Sequence, residues 1–404
     1  MTPRRFLFWV HLAVGTVAGL VIFVMSVTGV LLAYKRQILN RADRGFQSQP
    51  APGAQRLPVD ELLAKLQIAQ NKMPSGITVR FAPAAPVSFD FGRERTVFVD
   101  PYTGQALGEE SPRLRAFFSK IEDVHRWLGM SSENRAAGRA MTGACNLSFL
   151  ILVVSGPILW WPKEWTGRNL KKITLLHGGP WRRARDWNWH NALGFWCAVP
   201  LFLIVVTGVI MSYGWANNLL YRATGNPPPP PPQNQAAAQS PPEQQPHQGR
   251  RRAAEAPHFD NFENLFARAA QQVPGWTAIG VRLPNTPQDT LTFAIDQGNG
   301  GRPDLRSQLT LDSRSGQVLR WEPFSSYNRG RQLRSWVRFT HTGEAFGLGG
   351  QTVAALASAG ASLLVFTGLA LALRRLAGLK SRCGTKPEFR EPGTIEAESL
   401  KSVS

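Results

Sequence analysis

The sequence predicts an α-helical integral membrane protein, with four transmembrane helices in two parallel repeats and an outer α+β module in each repeat. Three observations carry that prediction. Four long stretches lack any Asp, Glu, Lys or Arg. The chain matches itself at fixed offsets, both in the apolar stretches and in the polar segments between them. Histidines also stand at corresponding places: His11 in the first stretch, His190 in the third, and His125 and His341 a little ahead of the second and fourth.

The uncharged stretches cover residues 6–34, 140–162, 187–221 and 345–373. Each exceeds the ~20 apolar residues that a helix needs to cross a bilayer. The mean hydropathy of −0.18 looks soluble only because two large polar segments dilute the spans. Arg4 and Arg5 precede the first stretch, as in a signal peptide. Its uncharged run is longer than an h-region of about 7–15 residues, and no small-residue cleavage site follows, so a retained helix is expected.

Lys163, Arg168, Lys171, Lys172, Arg182, Arg183 and Arg185 lie between the second and third spans, against Glu164 and Asp186. Arg374, Arg375, Lys380 and Arg382 follow the fourth. The positive-inside rule places these segments and both termini in the cytoplasm. The expected layout is helix 1 over 1–34, an outer module with an interfacial helix over 35–138, and helix 2 over 139–162. A basic cytoplasmic loop over 163–186 leads to helix 3 over 187–213 and a second outer module over 214–344. Helix 4 over 345–373 and a cytoplasmic tail over 374–404 complete it. Part of the net charge of +19 is thus topology. No nucleic-acid motif accompanies the basic clusters, so the expected partner is the lipid bilayer and not nucleic acid.

At an offset of 179, His11-Leu-Ala-Val-Gly15 aligns with His190-Asn-Ala-Leu-Gly194, and Val27-Thr28-Gly29-Val30 with Val206-Thr207-Gly208-Val209. At an offset of 212, Asp100-Pro-Tyr-Thr-Gly104-Gln105 matches Asp312-Ser-Arg-Ser-Gly316-Gln317, Gly138 matches Gly350, and Ser155-Gly156 matches Thr367-Gly368. Both copies start on the same side, so the repeat is parallel. Each outer segment opens with an amphipathic helical pattern: Val59, Leu62, Leu63, Leu66 and Ile68, then Phe262, Leu265, Phe266 and Ala269. Strand-like runs follow over 77–81, 87–91 and 96–99, then over 278–283, 290–295 and 308–311. Asp100–Gly104 and Asp312–Gly316 read as turns in which glycine supplies φ > 0. No catalytic constellation occurs in these modules. Residues 227–257 begin with six prolines and predict an extended or disordered linker.

On a helix, His11, Gly15 and Gly19 share a face, as do His190, Gly194 and Ala198. Glycine beside histidine leaves room for a flat porphyrin, although small-x-x-x-small is also a common helix-packing seam. Recurrence in two helices favours ligation, since ionisable groups inside membranes are usually functional. Gly29 and Gly208 each lie 18 residues after their histidine, five turns and about 27 Å on, where a second flat group could stack. His125 and His341 are the natural ligands there. Arg331, Arg334 and Arg338 precede His341 at helical spacing and suit haem propionates; snorkelling to headgroups is the alternative. His177 is a spare that could replace His190, while His247 and His258 are expected to be solvent-exposed. Cys145 and Cys197 sit in spans and Cys383 in the tail, which leaves the outer segments without a disulfide framework. No Cys-x-x-Cys-His occurs, so any haem would be held non-covalently.

These residues resemble the PepSY-associated transmembrane family, which includes bacterial ferric-siderophore reductases. The markers are His11-Leu-Ala-Val-Gly15, His125-Arg-Trp-Leu-Gly129, Ser155-Gly-Pro-Ile-Leu-Trp-Trp161, His190-Asn-Ala-Leu-Gly194 and His341-Thr-Gly-Glu-Ala-Phe-Gly347. The resemblance implies four membrane helices, two periplasmic PepSY-like modules and, in the reductase members, haem carried by histidines at these positions. Two departures are the Pro-rich insertion and four extra residues between His125 and Gly138 relative to His341 and Gly350.

The leading expectation is a di-haem b protein of the bacterial inner membrane that reduces ferric iron in a siderophore or other chelate at the periplasmic face. His11 and His190 would share the iron of an inner haem, and His125 and His341 that of an outer one. The cytoplasmic segments are too short for a nucleotide-binding domain, and no Gly-x-Gly-x-x-Gly follows a strand. A cytoplasmic component or a quinol must then supply the electrons. The chelate would meet the outer haem near residues 331–338. The alternative is a non-enzymatic membrane protein whose PepSY-like modules bind or regulate a periplasmic partner. A transporter is weaker, because no Asp or Glu lies in any span to couple ions.

Overall fold

The structure, a computed structural model, describes residues 2–70, 72–92, 95–162, 164–177, 182–229, 261–283 and 289–384. His247, His258, most of the Pro-rich linker, the side chain of Cys383 and the tail beyond Gly384 lie outside the described residues.

The first half contains α1 (Pro3–Leu32), α2 (Lys35–Ala42), α3 (Val59–Gln70), β1 (Gly76–Arg80), β2 (Val87–Phe91), β3 (Arg95–Val99), β4 (Ala106–Glu109), α4 (Pro112–Trp127) and α5 (Arg135–Trp160). The second half contains α6 (Gly167–Thr174), α7 (Arg182–Ser212), α8 (Gly214–Ala223), α9 (Phe262–Gln272), β5 (Ala278–Arg282), β6 (Thr290–Asp296), β7 (Arg306–Asp312), β8 (Val318–Pro323), α10 (Arg329–His341) and α11 (Gly347–Gly384).

Among the described residues, four helices are long and apolar enough to cross a membrane. They lie in α1, α5, α7 and α11 and form a ring. α1 packs on α5 and α11, and α7 packs on the same two, so α1 and α7 stand on a diagonal. The third uncharged stretch does not continue as one helix to residue 221. The chain leaves the helical region at Tyr213 (φ −118°, ψ 127°), and Gly214 begins the separate α8. The fourth span overruns its uncharged stretch, because α11 carries on through Arg374 and Arg375.

The polar segments form one body instead of two separate modules. β1 to β8 make a single antiparallel sheet in the order β4-β3-β2-β1-β5-β6-β7-β8. At its centre β1 pairs with β5, Ile77 opposite Val281, Thr78 opposite Gly280 and Val79 opposite Ile279. Ile77-Thr-Val-Arg80 thus pairs with its own counterpart, Ile279-Gly-Val-Arg282, about a local two-fold through Thr78 and Gly280. Each module alone would leave β1 or β5 as an unpaired hydrophobic edge, and joining them removes both edges. α3 and α9 share one apolar core with the sheet, in which Leu62, Ile77, Phe89, Phe262, Phe293 and Leu309 are all buried.

Helix capping repeats this exchange. The Asp60 carboxylate accepts from Phe262 N (2.8 Å) and Glu263 N (2.9 Å) at the start of α9. The Glu263 carboxylate accepts from Val59 N (2.8 Å) at the start of α3. The two predicted turns occur with matched geometry. Gly104 (φ 76°) and Gly316 (φ 67°) take up left-handed backbone, and Asp100 and Asp312 accept from Tyr102 N and Ser315 N through their side chains. The sequence reading missed β4 and β8, the two edge strands. Both are largely exposed, so neither carries the alternation that marks a half-buried strand.

Candidate functional site: two histidine pairs

His11 on α1 and His190 on α7 meet across the diagonal of the helix ring, with ring centres 6.4 Å apart. His125 and His341, at the C-terminal ends of α4 and α10, meet in the same way, again at 6.4 Å. Two imidazoles on one metal, each bonded at about 2 Å with its ring centre roughly 1.1 Å further out, would have centres about 6 Å apart. Both pairs therefore stand at a spacing at which two imidazoles could hold one metal ion.

Each histidine is oriented through Nδ1 by a hydroxyl on a neighbouring helix. His11 Nδ1 lies 2.7 Å from Ser155 Oγ, His190 Nδ1 3.1 Å from Thr367 Oγ1 and His125 Nδ1 2.8 Å from Thr28 Oγ1. His341 Nδ1 reaches Ile204 O at 2.8 Å and Thr207 Oγ1 at 3.3 Å. The tautomer follows from donor accounting. Ser155, Thr28 and Thr367 already donate to carbonyls of their own helices, Leu152 O, Val24 O and Leu363 O. With that proton committed, each oxygen can accept from Nδ1–H. The carbonyl of Ile204 can only accept, which fixes the same tautomer at His341. In the Nδ1–H tautomer the Nε2 lone pair is left for a metal, and a partner on the other ring nitrogen is the arrangement metal-ligating histidines use. Burial also lowers the pKa of His341, which favours the neutral ligand form.

The repeated Gly residues lie against side chains of neighbouring helices. A Cβ at Gly29 would meet His125 Cε1 at 3.7 Å, at Gly156 His11 Cε1 at 3.9 Å, and at Gly368 His190 Cε1 at 3.1 Å. Each of these glycines follows the hydroxyl residue that holds the same imidazole. At Gly29, where a flat group is expected, Ser358 Oγ is also near, 3.4 Å from such a Cβ. Gly208 departs from the pattern, since a Cβ there would lie 2.8 Å from Asn146 Nδ2. A Cβ at Gly15 or Gly194 would meet Leu152 or Leu364 at 3.7 and 3.8 Å, so both glycines sit in helix contacts. Gly15 thus lies toward α5 and Gly194 toward α11, while Gly19, on the same face as His11, lies toward Leu369 and Val365 of α11.

The four extra residues after His125 do not disturb the outer pair. The link after His125 runs through Leu128 in left-handed backbone (φ 55°) and a 3-10 turn, Ser132–Asn134, just as the shorter link after His341 runs through Gly343 (φ 74°) and a 3-10 turn, Glu344–Phe346. Gly138 then packs its Cα against Trp127 O, and Gly350 packs against Gly343 O. In each half, the first turn of the span rests on the carbonyl two residues beyond the histidine.

Buried donors without acceptors lie in the same regions. Trp160 Nε1, Trp189 Nε1 and Arg135 Nε are buried with no hydrogen-bond partner among the described residues. Trp189 precedes His190. Trp160 lies one turn beyond Gly156, with its ring 5.4 Å from that of Phe195 on α7. Arg135 stacks on Trp127 beside Arg126, both at 4.6 Å. Unmatched donors near each pair fit a group that brings acceptors, as haem propionates do. The residues present therefore fit a haem at both pairs.

Of the expected arginines, Arg334 donates from Nε to Asn217 Oδ1 at 2.8 Å. Arg338 is exposed, lies over the Phe339 ring and forms no ion pair among the described residues. Arg331 is paired with Glu322 at 2.6 Å and stacked on Tyr327, so its charge is largely answered. His177 stays exposed in its loop, with Nδ1 on Leu175 O, and does not join His11. The sequence reading missed the hydroxyl partners Ser155, Thr28, Thr367 and Thr207. Their signal was present, because hydroxyl–glycine dipeptides recur at both repeat offsets. The family profile of the PepSY-associated TM region matches residues 8–375, a range that includes all four histidines. No curated protein matches the chain.

Proposed function

The chain belongs to the family of the PepSY-associated TM region, and we propose that it is a di-haem membrane protein passing electrons to ferric iron in a siderophore or other chelate. His11 and His190 would hold one haem b, His125 and His341 the other. The observation that carries this reading is the 6.4 Å spacing found twice, with every Nδ1 engaged by a partner.

When bound, bis-histidine haem supplies one-electron chemistry with six ligands in both oxidation states, which suits transfer better than oxygen binding. The chain's own part is to orient the imidazoles, keep them neutral and meet the propionates with Trp160 and Trp189 at one site and Arg135 at the other. In this reading the two halves are parallel repeats in a bacterial inner membrane. The sheet is periplasmic, and the 163–186 loop and both termini are cytoplasmic. Chelated iron meets the outer pair beside Arg334 and Arg338. Reduction there makes chemical sense: hard Fe(III) prefers oxygen chelators, whereas Fe(II) is held more weakly.

Purified protein is expected to show a Soret band, α and β bands that sharpen with dithionite, and two haems per chain. Reduced protein should be reoxidised by ferric chelates. Colourless protein from haem-replete cells would remove the proposal.

A further inference from the structure

A groove of about 560 Å³ opens beside the inner pair, between the start of α1 and the end of α5. Its lining is Arg4, Pro157, Ile158, Trp161, Pro162 and Trp165. Four features define its chemistry. The walls are apolar and aromatic, with the rings of Trp161 and Trp165 edge to face at 5.0 Å. Both tryptophans are more than half exposed, at 54% and 56%. Arg4 supplies the only charge in the lining. Its Nη2 donates to Leu159 O (2.5 Å) and Trp161 O (3.1 Å), which fixes the guanidinium at the rim and leaves its other N–H groups available. The groove also backs directly onto the redox site, since Pro157 follows Gly156, where a Cβ would lie 3.9 Å from His11 Cε1.

We infer that this groove is the electron entry site and binds a membrane quinol, an inference that rests on the di-haem reading. A flat neutral ring fits aromatic walls, and its oxygen can accept from Arg4. Exposed Ile151, Val154 and Ile158 continue up the outer face of α5 and provide an apolar track for an isoprenoid tail. A phospholipid headgroup is the rival occupant, but it would gain nothing from lying against the turn that touches His11. The quinol loses two electrons and its two hydroxyl protons to become the quinone. The protons leave to water at the Arg4 end of the groove. His11 and His190 would hold the haem that takes up the two electrons one at a time, and two ferric ions of the chelate would be reduced in turn.

Two measurements test the site. The first is photolabelling of the unsubstituted full-length protein in lipid nanodiscs with a short-chain azidoquinone. Label is expected on residues 157–165 and suppressed by excess short-chain ubiquinone. Label elsewhere, label that does not saturate, or displacement by phospholipid as readily as by ubiquinone would overturn the inference. The second follows haem reduction optically by ubiquinol-1 and by dithionite, in the unsubstituted protein, Arg4→Gln and a Trp161→Leu/Trp165→Leu double variant. Losing the stacking contacts should slow quinol-driven reduction about tenfold or more while dithionite reduction is unchanged. Equal rates with quinol would exclude the groove. Absence of a Soret band would sink the haem reading instead, and the photolabelling would still report on the groove.

Discussion

Thr28 Oγ1 lies 2.8 Å from His125 Nδ1, although 97 residues separate them. The hydroxyl spends its own proton on Val24 O, so it can accept from the imidazole. Thr28→Val would remove the hydroxyl partner of this buried imidazole and leave it the Met25 carbonyl, at a cost of about 0.5–1.5 kcal/mol. Haem at the outer pair should bind roughly 10–100-fold more weakly, the usual effect of losing a second-shell partner. Haem retention on dilution and the midpoint potential measure this. Thr28→Ser should restore both. Thr16→Val, which removes a hydroxyl bonded only to Leu12 O of its own helix, should change neither.

The two pairs are built from different helices, so they should load separately. His11→Ala is expected to remove about one haem per chain and leave the spectrum of the other, and His125→Ala to do the converse. Quantifying haem against protein checks this. Loss of both haems from His11→Ala in folded protein would contradict two independent sites.

Reciprocal capping makes a non-local prediction. Asp60 is on α3 but caps α9, while Glu263 is on α9 but caps α3. Asp60→Ala should cost about 0.5–2 kcal/mol, the range for a lost cap. Amide exchange should rise at residues 262–264 and not at the start of α3. Glu263→Ala should raise it at Val59. Exchange increases confined to the substituted helix itself would show that the caps are not exchanged.

Arg334 and Arg338 bear on the chelate. Arg338 forms no ion pair among the described residues, and Arg334 meets only the neutral Asn217. Charge reversal at both should slow reduction of anionic ferric chelates more than cationic ones, most clearly at low ionic strength, with haem content unchanged. Equal slowing of both would move them from the chelate path to a lipid or propionate role.

The sequence alone was enough for the membrane spans, the four histidines and the two turns at Asp100 and Asp312. Each of these depends on local information: a run without charge, a residue type at a fixed offset, or an Asp-x-x-x-Gly turn. Tertiary structure decided what the repeat could only hint at. That Ser155 and Thr28 hold His11 and His125 depends on contacts 144 and 97 residues apart in the chain. Gly29 could be placed on a helix face by periodicity, but not against Ser358 and His125, which come from distant elements. The outer modules read as two because each has its own helix and strands. They are one body because the exposed backbone edges of β1 and β5 satisfy each other, and backbone hydrogen bonding leaves almost no trace in side-chain pattern.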